Sequence, residues 1–133
     1  MPIGHEDPGA QKKRRGLARV AHAAAYSWAG LKVAWHEAAF RQEALLAMVL
    51  LPTAFWLGSG LVERSLLVAS LALVLIIELL NTGIEAVVDR VGPEWHEQSK
   101  RAKDLGSAAV LIGLVLCGFI WISAIVARLL EGA

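Results

Sequence analysis

A single cysteine in 133 residues leaves no partner for an intrachain disulfide, so Cys117 reads as a small apolar packing residue and the chain is no disulfide scaffold. Four prolines and twelve glycines are too few for a collagen-like repeat or a low-complexity linker. Charge is scarce as well. Charged residues make up 19%, and 13 Lys+Arg against 12 Asp+Glu leave a net charge of +1, which gives no electrostatic reason to expect a nucleic-acid partner. Internal repeats, paired halves of the kind seen in many transporters, the glycine-rich phosphate loop and the catalytic-loop motifs of soluble protein kinases are all missing. What remains is apolar: 56% of the residues are hydrophobic and the mean hydropathy is +0.54, outside the range of an ordinary soluble domain.

The charge-free runs are long. Ala44 to Val62 is nineteen residues without a formal charge, and Leu105 to Ala127 is twenty-three. A helix rising about 1.5 Å per residue needs about twenty residues to cross roughly 30 Å of hydrocarbon, so each predicts a membrane span, with Pro52 expected to kink the first without ending it. Between them, residues 65–89 read as a further apolar helix that carries Glu78, Asn81 and Glu85 inside it. Eleven of the thirteen basic residues lie before the first span or between the second and third, while Arg64 and Arg128 account for the rest. By the positive-inside rule the N-terminus and the second connection face the cytoplasm.

Residues 1–15 are polar, hold two prolines and two glycines, and are expected to be a poorly ordered extension of a membrane domain covering 16–133. Over about 16–36 the pattern changes. Leu17, Val20, Ala21, Ala24, Trp28, Leu31 and Trp35 fall within about 100° of arc, opposite Arg19, His22 and Tyr26. This predicts an amphipathic helix lying in the cytoplasmic headgroup region. A signal peptide fits less well, because Lys32, His36 and Glu37 interrupt the apolar stretch. The expected fold is therefore an all-α membrane protein with three transmembrane helices and an N-terminal amphipathic surface helix.

The middle span carries the chemistry. Relative to Glu78, and at about 100° per residue, Asn81, Glu85 and Asp89 stand at about 300°, 340° and 20°, so all four share one face. A carboxylate at mid-bilayer costs roughly 2.5–3.5 kcal/mol even on lenient scales, so this face belongs inside a bundle or in a polar pocket. Carboxylate oxygens suit Mg²⁺, which takes one or two of them and completes its shell with water and phosphate oxygens. The same rim carries Glu37, Arg41, Glu43, Lys103 and Asp104. Metal-binding carboxylates, phosphate-holding cations and a carboxylate base together are what phosphoryl transfer requires. Other readings stay open on the residues alone: a proton or cation relay in a small transporter, or a structural hydrogen-bonded cluster. Lys103 and Asp104 also fit solvated interface residues, His96 an inert loop residue, and Gly106 to Ala109 with Gly113 helix-packing positions.

The segment Glu78-Leu79-Leu80-Asn81-Thr82-Gly83-Ile84-Glu85-Ala86-Val87-Val88-Asp89-Arg90, with Arg101-Ala102-Lys103-Asp104-Leu105-Gly106-Ser107-Ala108-Ala109-Val110, resembles the signature of the prokaryotic integral-membrane diacylglycerol kinases. Tyr26-Ser27-Trp28-Ala29-Gly30-Leu31 and Glu37-Ala38-Ala39-Phe40-Arg41-Gln42-Glu43 are similar to that family's other two blocks. The resemblance runs over about residues 17 to 127. It implies a homotrimer in the bacterial cytoplasmic (inner) membrane, with active sites shared between subunits. The implied reaction passes the γ-phosphoryl group of MgATP to the primary hydroxyl of diacylglycerol, giving phosphatidic acid. By position, the resemblance makes Glu78 the base that takes the hydroxyl proton and Asn81, one turn away, the catalytic residue that orients it. Glu37 and Glu85 become the metal carboxylates and also nucleotide contacts. Arg19, Tyr26, Glu94, His96, Lys103 and Asp104 match nucleotide-contacting positions; Ser27, Arg41, Gln42, Glu43, Glu78 and Ser107 match lipid-substrate or supporting positions. Strict dependence on a divalent cation follows. Undecaprenol kinases share this core and are the alternative within the class; a small proton-coupled transporter is the alternative outside it, and a non-catalytic assembly protein is the third.

Overall fold

The computed structural model describes residues 16–132, so the expectation for residues 1–15 lies outside the described residues. Four helices follow one another, and among the described residues there is no strand: α1 Leu17–His36, α2 Ala38–Leu57, α3 Leu61–Val91 and α4 Glu97–Glu131. The last three are long and apolar enough to cross a membrane. Helical structure runs past the charge-free stretches toward α1 and toward the α3–α4 connection, taking Arg41 and Glu43 into α2 and Lys103 and Asp104 into α4, whereas the stretch 44–62 overruns its helix: α2 ends at Leu57, the chain turns at Gly58–Gly60, and Leu61 and Val62 already belong to α3. Backbone hydrogen bonding continues a helix whether its side chains are apolar or charged, so apolarity marks the expected membrane-crossing part and not the helix end.

Three short breaks set the topology. Glu37 alone separates α1 from α2, in an extended conformation, with its N–H bonded to Ala34 O at 2.9 Å. The guanidinium of Arg41 reaches back to donate to Trp35 O at 3.2 Å, satisfying a carbonyl at the end of α1. Between α2 and α3, Ser59 donates from both its backbone N and its hydroxyl to Glu63 Oε2, at 2.8 and 2.5 Å. Arg64 Nε closes the same turn on Gly58 O at 3.0 Å. The third break begins at Gly92, whose φ of 147° is a conformation open essentially to glycine alone. Pro93 follows it, and α4 restarts after His96, whose Nδ1 accepts from Gln98 N at 3.1 Å as an N-cap.

α2 passes through Pro52 without interruption, and Thr53 Oγ1 donates to Val49 O beside it at 3.1 Å. α3 packs against α4 along much of its length, α2 lies against α3, and α1 touches α2. The core is at the end away from the α3–α4 loop: Ala54, Leu57, Leu67, Leu71, Trp121 and Ala124 form one buried cluster. A polar node sits beside it. Buried Ser70 donates to Leu67 O at 2.8 Å and accepts from Trp121 Nε1 at 3.2 Å, while Cys117 Sγ lies 3.5 Å from the same hydroxyl. Where lipid removes the hydrophobic drive between helices, such interhelical bonds and close packing hold them together.

Candidate functional site

The site begins with α3. Leu67, Leu71 and Val74 bury one stripe of this helix, and the stripe continues through Glu78 and Asn81, which are only 5% and 9% exposed. The helical repeat therefore carries two polar side chains into the same seam that the core residues fill. One turn further on, Glu85 and Asp89 are exposed. The stripe thus changes from buried to open over about three turns.

Other elements add to it. Glu43, half-buried on α2, is close enough to Glu78 for the two charges to interact, and Glu78 also feels Glu85 on its own helix and Glu37 at the α1–α2 break. Four glutamates from α2, α3 and the break are thus in electrostatic reach of Glu78 or include it. Glu43 Oε2 and Asn81 Oδ1 are both buried without a hydrogen-bond partner. Asn81 Nδ2 donates to Glu85 Oε1 at 3.2 Å, so its amide is turned toward Glu85. Unsatisfied buried acceptors carry a desolvation cost of about 1–3 kcal/mol each.

At the open end, Lys103 Nζ pairs with Asp89 Oδ1 at 2.6 Å, bridging α4 to α3, and Lys100 Nζ pairs with Asp104 Oδ2 at 2.5 Å within α4. Two cavities flank the stripe. One, of about 670 Å³, lies between the end of α3 and the α3–α4 loop and is lined by Glu94, Trp95 and His96 among others. The second, about 560 Å³ and mostly apolar, is a crevice between α1 and α3 bounded by Ser27, Gly30, Leu31, Leu79, Thr82 and Gly83.

The structure thus draws Glu37, Glu43, Glu78, Asn81 and Glu85 together and sets Lys103 at their open edge. Glu94 and His96 line the loop cavity, and Ser27 the apolar crevice. Arg19 and Tyr26 stand exposed on α1, with the Tyr26 and His22 rings 6.5 Å apart. Gln42 and Ser107 are exposed on α2 and α4. Arg41 is turned to the end of α1, and Asp104 is paired with Lys100. Sequence reasoning gave Thr82 and Gly83 no part, and treated Gly106 as packing alone. Yet Gly106 is buried against Asn81, and a Cβ built there collides with Asn81 Oδ1. The signal was a glycine opening a run of small residues, which does not say what it faces.

The sequence is also similar to known proteins. The family described as prokaryotic diacylglycerol kinase matches residues 25–125. The diacylglycerol kinase of Escherichia coli strain K12 is 51% identical over 107 residues, covering 80% of this chain and 88% of that protein. The diacylglycerol kinase of Pseudomonas aeruginosa is 49% identical over 115 residues, 86% of this chain and 94% of its own length. That of Haemophilus influenzae is 47% identical over 110 residues, covering 82% and 93%. A chain matched over most of its length, with the buried glutamate stripe inside the matched part, belongs to the prokaryotic diacylglycerol kinase family.

Proposed function

We propose that this chain is a membrane-embedded lipid kinase that transfers the γ-phosphoryl group of MgATP to the primary hydroxyl of 1,2-diacylglycerol. The observation that carries the reading is a buried glutamate, Glu78, in reach of three further carboxylates, with a cationic edge and a loop cavity on one side and an apolar crevice on the other. A lipid alcohol and a triphosphate need such opposite surroundings on the two sides of one reacting centre.

Diacylglycerol enters from the bilayer with acyl chain in the α1–α3 crevice, and its hydroxyl reaches the Glu78 carboxylate. Ser27, Arg41, Gln42, Glu43 and Ser107 border the lipid path. The nucleotide base and sugar occupy the loop cavity beside Glu94 and His96, and Arg19, Tyr26 and Asp104 complete the contacts. Lys103 leaves Asp89 in part to neutralise phosphate oxygens. Glu78 accepts the hydroxyl proton as the alcohol oxygen bonds to the γ-phosphorus; the bond from that phosphorus to the β–γ bridging oxygen breaks, and ADP departs.

Glu37 and Glu85 are the carboxylates that would hold Mg²⁺. The donor set fits: Glu37 and Glu85 are exposed carboxylates, each in electrostatic reach of Glu78, and would supply two hard oxygen ligands to a cation that completes its shell with water and phosphate. When bound, the cation offsets charge on the phosphate oxygens.

The wider assembly belongs to the same proposal. α1 is an amphipathic helix on the cytoplasmic face of the inner membrane, the N-terminus is cytoplasmic, residues 16–133 form one membrane domain, and the chain is a homotrimer with sites shared between neighbours. Basic residues before the first span and in the α3–α4 connection support the orientation. Exposed large side chains on all three spans, such as Phe55, Leu73 and Phe119, support burial against lipid and sister chains.

The test is a substrate panel with purified protein in vesicles and labelled MgATP. Diacylglycerol is expected to be phosphorylated and undecaprenol to be a poor acceptor. Preference for undecaprenol would reassign the lipid, and no transfer to either alcohol would overturn the kinase reading.

A further inference from the structure

We propose that Gly106 and Asn81 form a positioning device for Glu85: the absent Cβ of Gly106 lets the Asn81 carboxamide lie against α4, from where Nδ2 donates to Glu85 Oε1 and holds that carboxylate for a divalent cation. This rests on the reading of Glu85 as a metal carboxylate.

Three observations meet at one place. Asn81 is 9% exposed, whereas Glu85, one turn on, is exposed and would otherwise sample many rotamers. The bond from Asn81 Nδ2 to Glu85 Oε1, at 3.2 Å, anchors the mobile group to the buried one. Asn81 Oδ1 has no hydrogen-bond partner and occupies the space where a side chain at residue 106 would begin. The amide orientation is chemically determined, because turning it over would aim the carbonyl oxygen at the Glu85 carboxylate. Oδ1, in the space a Cβ at 106 would take, meets no hydrogen-bond donor there. A methyl group at 106 would force the amide out, and the bond to Glu85 with it. Asn81 therefore acts through Glu85, and Gly106 acts through Asn81.

Outer partners of metal ligands commonly contribute about 10–100-fold in metal affinity. The experiment measures Mn²⁺ binding by electron paramagnetic resonance, with a non-hydrolysable ATP analogue present, to the full chain in lipid nanodiscs. Four variants are compared with the parent: Gly106→Ala, Asn81→Ala, their double variant, and Glu85→Ala. Each single change at 106 or 81 is expected to weaken Mn²⁺ binding by about tenfold or more, and the double variant is expected to bind no more weakly than Asn81→Ala, since the clash has nothing left to displace. Losses that multiply in the double variant would show independent packing defects and overturn the device. Should Gly106→Ala not fold, Asn81→Ala decides alone, because it removes atoms and creates no clash; unchanged Mn²⁺ affinity there overturns the proposal. If Glu85→Ala weakens binding while the other variants do not, only the positioning device fails. If Glu85→Ala leaves binding unchanged, the metal reading of Glu85 fails and the device falls with it.

Discussion

Lys103 Nζ lies 2.6 Å from Asp89 Oδ1 and ties α4 to α3 at the open end of the glutamate stripe. The two side chains are 43% and 67% exposed, so the pair is screened by water and contributes little to stability. Its position matters more than its strength, because it keeps an ammonium group beside the stripe with an exchangeable partner.

Two variants separate those roles. Asp89→Asn is expected to change unfolding free energy by less than about 1 kcal/mol in a detergent titration. Lys103→Met is expected to raise KM for ATP about tenfold or more, since hydrogen bonds to charged groups are worth about 1.5–3 kcal/mol. An unchanged KM for ATP in Lys103→Met contradicts its role at the phosphates.

Much of this was legible from the residues. Two charge-free runs and one apolar stretch interrupted by carboxylates marked three spans, and the 100° step put Glu78, Asn81, Glu85 and Asp89 on one face before any contact was known. Less legible was the direction of the Asn81 amide, because Glu78 and Glu85 are both about one turn away and spacing does not choose between them. Arg41 showed the same limit. The resemblance matches it to a lipid-substrate position, and spacing alone does not show that its guanidinium also reaches the Trp35 carbonyl at the end of α1. Gly106 was legible as small and illegible as specific, since what a missing side chain accommodates depends on the opposing helix.

The Ser70 node provides a stability prediction far from the chemistry. Ser70→Ala leaves Trp121 Nε1 without its acceptor. An interhelical bond in a membrane contributes about 0.6–1.7 kcal/mol, so a loss of that size is expected in unfolding titrations. Turnover at saturating substrate is expected to stay near the parent value, because Ser70 stands two turns from Glu78, about 12 Å along the axis. A large fall in turnover without loss of folding would tie the core to the site more closely than this account allows.

Shared sites are tested by mixing. Glu78→Gln, and Lys103→Met with Asp104→Asn assayed at an ATP concentration where it alone shows no turnover, are unfolded together and reassembled. Activity is expected to return in mixed trimers, and its absence where mixing is verified argues for sites built within one chain.

Divalent-cation dependence is tested with the same protein. Chelation is expected to abolish phosphoryl transfer and added Mg²⁺ to restore it, whereas Glu37→Ala and Glu85→Ala are expected to shift the Mg²⁺ titration to higher concentration or end turnover. Superimposable titrations of parent and variants contradict the assignment of both carboxylates.

The central claim is that a glutamate buried in α3 takes the proton from a lipid alcohol. Its most direct measurement is transfer of labelled phosphate from MgATP to diacylglycerol by Glu78→Gln in bilayers, with folding and ATP binding verified. Gln keeps the size of the side chain and removes the base, so turnover is expected to fall by about 10²-fold or more while KM for ATP changes little. Parental turnover in that variant would contradict the account.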